Sequence, residues 1–346
     1  MLAQFIRIFE NGQSLEEEQC VVSVECLANE NVPVELKAEF LTAFARKGET
    51  PAEIAAFARA LRGKAVVPPI GEATRNREIL DVVGTGGDRL GTFNISTAAA
   101  ILCAAAGVTV AKHGNRAVTS RAGSADVLEA LGIRIDLPPP AAAQSLRERQ
   151  FAFFFAPAYH PAFKSISPAR KLCAERGQRT IFNLLGPLLN PARPSAMLIG
   201  VPLPEWCETM ARVARMLGVR RAMAVCGRVP GAGFLDELST LGENVIAEFY
   251  QERGFSVSTS VPGRVSPSRA TLADLLGGGK EENAEIVRQI LTGGEKGPKR
   301  DAVLLNAAAA LYVGGATRSV EAGRELASET IDSGRAGAKL AELAEK

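Results

Sequence analysis

The chain lacks a charge excess of either sign. Its 346 residues include 40 basic and 38 acidic side chains, a net charge of +2. Such a balance argues against a broad nucleic-acid surface and leaves room only for a local basic pocket. Zinc and disulfide patterns are also missing. The six cysteines, at 20, 26, 103, 173, 207 and 226, contain no CxxC pair, and none sits near a histidine in a zinc spacing. Most have apolar neighbours and read as buried free thiols in a reducing compartment. Residues Met1 to Phe5 carry no basic region followed by an apolar core, so no signal peptide is expected. The longest low-polarity run, Ala98 to Ala111, is too short to span a bilayer and contains Gly107. A cytoplasmic protein with no membrane partner is the expectation. Histidine is scarce, with two in the whole chain, His113 and His160.

What is present is ordinary globular material, 47% hydrophobic and 23% charged, long enough for one large domain and a smaller one. Up to about residue 64 the pattern is helical throughout. Phe5, Ile8 and Phe9 recur at helical spacing, and Ser14 with Glu17 forms a capping-box pattern. Asn31-Val32-Pro33 interrupts the pattern, Glu35 to Lys47 resumes it, and Pro51 opens another helix. Val67 to Gly71 reads as a linker. Short apolar strands then alternate with helices: strands at 79–83, 108–111, 151–155, 196–201, 221–225 and 244–249, helices at 96–106, 125–131 and 205–217. This alternation predicts an α/β fold with a mostly parallel sheet flanked by helices. The tail reads as helical at 281–291, 301–312 and 319–345.

The densest chemistry lies between Asp81 and Asp126, where three polar, glycine-bearing turns surround one apolar helix. Gly84-Thr85-Gly86-Gly87-Asp88 follows a strand, where α/β proteins bind ligands. It is not a dinucleotide fingerprint, because Arg89 stands where GxGxxG needs glycine. Nor is it a P-loop, because Thr92 stands where lysine is required. A tight strand–helix connection is an equal reading of the glycines alone. Asn94-Ile95-Ser96-Thr97 opens the helix, either as an ordinary N-cap or as an anion site built from N–H groups and hydroxyls. Lys112-His113-Gly114-Asn115-Arg116, continuing to Ser120, Gly123 and Ser124, reads as a solvated loop or as the cationic side of a site. His160, in Ala156-Pro157-Ala158-Tyr159-His160, also lies just past a strand. Asp236-Glu237, after a glycine-bearing loop, is either a solvated turn or a pair able to hold Mg²⁺.

Taken in order, GTGGD, NIST, KHGNR, FAPAYHPA, RTIFNLLGPLLNP and LDELS closely resemble the anthranilate phosphoribosyltransferase family of tryptophan biosynthesis. The resemblance runs from the helical N-terminus to Asp301–Ala307. It implies a small helical domain, residues 1–70 joined by helices around 163–180, and an α/β domain formed by 72–160 and 182–346. It implies a homodimer through the helical part and two Mg²⁺ ions per subunit. The implied reaction moves a phosphoribosyl group from 5-phosphoribosyl 1-pyrophosphate (PRPP) to the amine of anthranilate. By motif, Gly84, Gly87, Asp88, Thr92, Asn94, Ile95, Ser96, Thr97, Lys112, Ser120 and Ser124 would bind PRPP. Ser96 would touch one magnesium, and Asp236 with Glu237 would hold the other. Asn115 and Arg170 would hold anthranilate, with Gly84, His113, Pro157, Tyr159 and His160 lining its path. No residue is assigned as an acid or base.

The chain departs from the family pattern in two places. The segment Cys226 to Gly233 is longer than usual before the acidic pair and lacks a histidine. Arg89 replaces a smaller or neutral residue and either adds a cation for pyrophosphate or faces solvent. Two other readings compete with this one. A pyrimidine nucleoside phosphorylase would carry a lysine–serine signature near the first glycine turn. A non-catalytic nucleic-acid-binding relative would have lost the PRPP turns and gained basic surface.

Overall fold

A computed structural model describes residues 1–117, 121–250, 254–260 and 270–344. Eight strands, β1 (Ile79–Gly84), β2 (Thr109–Gly114), β3 (Phe151–Phe155), β4 (Ala196–Gly200), β5 (Arg221–Val229), β6 (Gly233–Leu235), β7 (Asn244–Tyr250) and β8 (Gly254–Ser260), form one sheet. Its order is β3-β2-β1-β4-β5-β7-β8, with β6 paired to β5. The first five are parallel, and β6, β7 and β8 join antiparallel.

Side chains alternate across this sheet. Leu80, Val82, Leu198, Met223 and Val225 enter one core with the alanine-rich helix Ile95–Ala105 and the helix Pro298–Val313. Val83, Met197, Ile199, Ala222 and Ala224 enter a second core with the N-terminal helices. Both faces are covered, which explains the nearly unbroken apolar strands. Asp81 on β1 is the exception; it is fully buried, and the Asn190 amide donates to it at 2.8 Å.

The N-terminal helices are Leu2–Glu10, Glu17–Ala28, Val34–Lys47 and Pro51–Gly63. Phe9, Phe40, Phe44 and Phe57 stack in their centre. Each such ring contributes roughly 2–3 kcal/mol on burial. The helix Phe163–Glu175 contributes Ile166, Ala169 and Cys173 to the same core. Lys37 from the third helix donates to the Ser165 carbonyl at 3.1 Å.

Several sequence expectations shift. The cap of the second helix is Glu16 with Gln19, not Ser14 with Glu17; Ser14 instead accepts from Lys47. β2 runs to Gly114, so Lys112 and His113 are strand residues and not part of a turn. The segment 226–233, read as a long loop, is a hairpin in which β5 continues to Val229 and turns back as β6. The tail is two helices, Val320–Asp332 and Arg335–Ala344. β8 was not anticipated because its residues are exposed and polar, so an edge strand left no apolar signature. The helix Pro139–Glu148 was also missed.

Candidate active site

The strand order reverses between β1 and β4. β2 and β3 follow β1 to one side, while β5 follows β4 to the other. Open α/β sheets bind ligands outside the carboxyl ends of their strands at such a point. There Gly84 of β1 is in register with Gly200 of β4. Asp236 lies across both glycines. A β-carbon on Gly84 would stand 2.2 Å from Asp236 Oδ2, and one on Gly200 would stand 1.6 Å from the Asp236 carbonyl oxygen. At Gly200 the obstacle is main chain, so only glycine permits that approach.

The acidic pair reaches back to the first two turns. The Gly86 N–H donates to Asp236 Oδ2 at 2.7 Å, and the Ser96 N–H to Glu237 Oε1 at 3.1 Å. Glu237 therefore sits on an N–H at the start of the helix Ile95–Ala105, where the helix dipole favours negative charge. Burial raises the pKa of Asp236, and the neighbouring Asp88 and Glu237 carboxylates raise it further. Burial likewise raises Glu237, opposed by Lys112 and by hydrogen bonds from Ser96. Three carboxylates thus crowd one recess with Lys112 as the nearby cation.

Lys112 is buried and donates to the Val82 carbonyl at 2.7 Å, so its charge lies beneath the turns and not in an open loop. Burial lowers its pKa, and Asp81, Glu237 and Asp236 oppose that shift. Asn94 ties two turns together: its amide donates to the Ala122 carbonyl at 3.3 Å and its oxygen accepts from Asn283 at 2.9 Å. Asn283 had no motif to point to it. Thr92 pairs with Leu276, and Asp88 accepts from the Leu90 N–H. The Thr97 hydroxyl is buried and meets no hydrogen-bond partner among the described residues. Ser124 donates to the Asn115 carbonyl at 3.5 Å and fills the space a side chain on Gly114 would need. Gly87 and Asn115 are exposed, and Ile95 is core. Ser120 lies outside the described residues. Arg116 turns away to Asp126 and Glu129, and Arg89 is exposed with a left-handed backbone.

A row of rings leads away from His113. His113 and His160 meet at 5.3 Å, His160 and Phe163 at 5.7 Å, and Phe163 and Phe182 at 5.6 Å. The Arg170 guanidinium lies 5.6 Å from the Phe163 ring and 5.1 Å from the Phe182 ring. His113 Nδ1 lies 3.2 Å from the Gly186 carbonyl oxygen. Both histidines have a buried Nε2 that meets no hydrogen-bond partner among the described residues. Pro157 is exposed, whereas Tyr159 is buried in a separate cluster with Phe154.

The strand ends thus carry a glycine- and hydroxyl-bearing acidic recess, and His113 at the end of β2 begins a row of rings that reaches Arg170. Comparison with known proteins places the chain in a family. A family profile described as "Glycosyl transferase family, a/b domain" matches residues 76–337, and one described as "Glycosyl transferase family, helical bundle domain" matches residues 3–65. Anthranilate phosphoribosyltransferase of Thermus thermophilus is 46% identical over 325 residues, covering 94% of this chain and 93% of the relative. That of Moorella thermoacetica is 46% identical over 330 residues, covering 95% and 93%. The chain belongs to the anthranilate phosphoribosyltransferase family. Among solved members of that family, the Thermus thermophilus enzyme superposes with a TM-score of 0.87 at 43% identity, covering 98% of both chains. The Saccharomyces cerevisiae enzyme in complex with PRPP and Mg has a TM-score of 0.85 at 26% identity, covering 99% of this chain and 96% of that one. A variant of the yeast enzyme in complex with 4-fluoroanthranilate has a TM-score of 0.82 at 25% identity, with the same coverage. Among the described residues no helix is long and apolar enough to cross a membrane.

Proposed function

We propose that this chain transfers the phosphoribosyl group of PRPP to anthranilate, giving N-(5-phosphoribosyl)anthranilate and pyrophosphate in tryptophan biosynthesis. The observation that carries the reading is Asp236 and Glu237 seated at the switch point, each on a backbone N–H of a glycine- or hydroxyl-bearing turn. The donor set fits magnesium: hard carboxylate oxygens and the Ser96 hydroxyl, in a recess where burial first, and neighbouring carboxylates after it, raise the acids' pKa values. Mg²⁺ takes one or two carboxylates and completes its shell with substrate phosphate oxygens. Two ions per subunit fit this reading, one on Asp236 and Glu237 and one near Ser96. When bound, they supply charge stabilisation to the departing pyrophosphate.

The protein's own residues do the rest. Gly84, Gly87, Asp88, Thr92, Asn94, Ile95, Ser96, Thr97, Lys112 and Ser124 cradle PRPP through N–H groups, hydroxyls and one buried cation. The amine nitrogen of anthranilate bonds to ribose C1 as the C1–oxygen bond breaks and its electron pair leaves with pyrophosphate. A surplus amine proton is then released. An aryl amine is a weak base, so its lone pair is available without a protein base. Arg170 meets the carboxylate with a planar fork, and Asn115, His113 and His160 border the path. Catalysis is then chiefly positioning and preorganised charge.

We also assign residues 1–70 with the helices around 163–180 to one unit, supported by the packing of Phe163–Glu175 on the N-terminal helices. The remainder forms the α/β unit. A homodimer would form through the helical unit, where Met1 and Val21 expose apolar surface; sedimentation of the purified protein tests that state. The deciding assay mixes purified protein with PRPP, Mg²⁺ and anthranilate and follows the loss of anthranilate fluorescence. Turnover that depends on all three is expected. Folded protein with no turnover would overturn the proposal.

A further inference from the structure

The helix Pro298–Val313 is almost wholly apolar on its buried side, yet Asn306 stands in its middle, fully buried among Ala302, Val303, Ala307 and Ala310. A leucine would fill that position without any polar group to satisfy. Burying an amide is favourable only when its hydrogen bonds are made, so the amide must serve the groups it reaches.

Those groups lie just past the acidic pair. The Leu238 N–H donates to Asn306 Oδ1 at 2.9 Å, and Asn306 Nδ2 donates to the Leu238 carbonyl at 2.9 Å. The second Nδ2 proton goes to the Ala302 carbonyl at 3.0 Å, one turn earlier in the same helix. The side chain thus imitates a neighbouring strand, taking both backbone groups of one residue.

The next residue is held in the same way by another element. The Ser239 N–H donates to Asn244 Oδ1 at 2.7 Å, and Asn244 Nδ2 donates to the Ser239 carbonyl at 3.0 Å. Asn244 opens β7 and is also buried. The Ser239 hydroxyl accepts from the Leu241 N–H, closing the turn on its far side. Residues 236–239 belong to no helix or strand. Two buried amides, one on a helix and one on the sheet, supply the backbone partners that regular structure would otherwise provide.

The consequence concerns Asp236 and Glu237. Their carboxylates accept from the Gly86 and Ser96 N–H groups, yet they stand in a segment with no helix or strand to hold it. An untied turn would leave those contacts free to open. With Leu238 and Ser239 fixed, the carboxylates stay on the Gly86 and Ser96 N–H groups. We infer that Asn306 and Asn244 are positioning residues that clamp the turn following Asp236-Glu237 and so preorganise this pair for a divalent cation. The inference rests on the reading of Asp236 and Glu237 as magnesium ligands. Residues that orient metal ligands typically cost 10–100-fold in affinity when removed.

The test compares wild type with Asn306→Ala, using Mn²⁺ as an electron-paramagnetic probe in the presence of PRPP, alongside steady-state kinetics with Mg²⁺. Circular dichroism and thermal unfolding establish that the variant is folded. Expected is a roughly tenfold weaker Mn²⁺ binding and an equal rise in half-saturating Mg²⁺, with kcat at saturating Mg²⁺ recovered to within about threefold. The anthranilate KM stays unchanged. Where Asn306→Ala does not fold, Asn244→Ala unties the adjacent residue and is judged by the same measurements. Unaltered Mn²⁺ affinity in a folded variant overturns the inference. So does an anthranilate KM that rises with the metal requirement, or failure of both variants to fold. A wild type that binds Mn²⁺ but makes no product sinks the functional proposal alone, because the Mn²⁺ comparison still decides the clamp.

Discussion

Gly200 and Asp236 pack backbone against backbone: a β-carbon on Gly200 would stand 1.6 Å from the Asp236 carbonyl oxygen. The obstacle is main chain, which cannot rotate aside as a side chain can. Gly200→Ala should therefore destabilise the fold by about 1–3 kcal/mol, the usual cost of overpacking, and displace the acidic turn. Gly84→Ala meets the Asp236 carboxylate at 2.2 Å. That group can move, so stability should suffer less than Mg²⁺-dependent turnover. Urea unfolding with a Mg²⁺ titration of activity checks both. Wild-type stability and metal dependence in Gly200→Ala would show that the contact is not needed.

The two histidines should remain neutral throughout the physiological range. Burial drives the His113 pKa down to about 3, with His160 and nearby cations adding to the effect, and burial drives His160 down to about 4. Both pKa values are depressed on folding, so their contribution to stability is complete above the unfolded value near 6.5. It is lost as pH falls through about 4 and then about 3. Because the chain has two histidines, their ring carbon–proton signals are readily assigned. Neither should shift between pH 5 and 8, and a titration near 6.5 would refute the burial argument.

Much of this site was legible because its parts are local in sequence. GTGGD, NIST and KHGNR each sit at a strand end or helix start, and periodicity alone places those boundaries to within a few residues. Asp236-Glu237 stood out as an acidic pair after a glycine loop. What remained hidden depends on long-range pairing. Asn283 reaches Asn94 across 189 positions and Asn306 reaches Leu238 across 68; an asparagine inside a helix gives no sign of its partner. The burial of Lys112 was hidden for the same reason. Its position was read as loop, while pairing of β2 with β3 carries the strand on to Gly114. The hairpin of β5 and β6 looked like an insertion because glycine and proline dominate its turn.

The acidic pair should make the metal-free protein sensitive to alkali. Both carboxyls have pKa values raised on folding, chiefly by burial. A raised acid stabilises the native state below its unfolded pKa and withdraws that contribution as pH rises through the folded value. Asp236→Asn with Glu237→Gln removes the buried charge and the lesser repulsion together. In chelator at pH 8 the double variant should therefore melt several degrees above wild type, with the gap narrowing toward pH 5, since roughly 1 kcal/mol shifts Tm by a few degrees. The same variant should lose turnover by roughly 10²–10³-fold, the scale of a lost electrostatic stabiliser. Calorimetry across pH, with and without Mg²⁺, is the measurement. A double variant that melts lower than wild type at pH 8 would mean that the acids stabilise the fold.

Arg170 should decide the choice of acceptor. Its guanidinium lies against the Phe163 and Phe182 rings, burial lowers its pKa, and it makes no ion pair among the described residues. The ring contacts leave its N–H groups for a ligand, and a planar fork suits a benzoate carboxylate. Arg170→Ala should raise the anthranilate KM by about 10–100-fold, the worth of a charged hydrogen-bonded pair, and leave the PRPP KM within about twofold. Arg170→Lys keeps the charge but loses the fork and much of the stacking, so it should recover only a small part of the loss. Aniline, which lacks the carboxylate, should be a poor substrate for wild type and no poorer for Arg170→Ala. Parallel losses for anthranilate and aniline would show that the arginine holds the pocket walls and does not read the carboxylate.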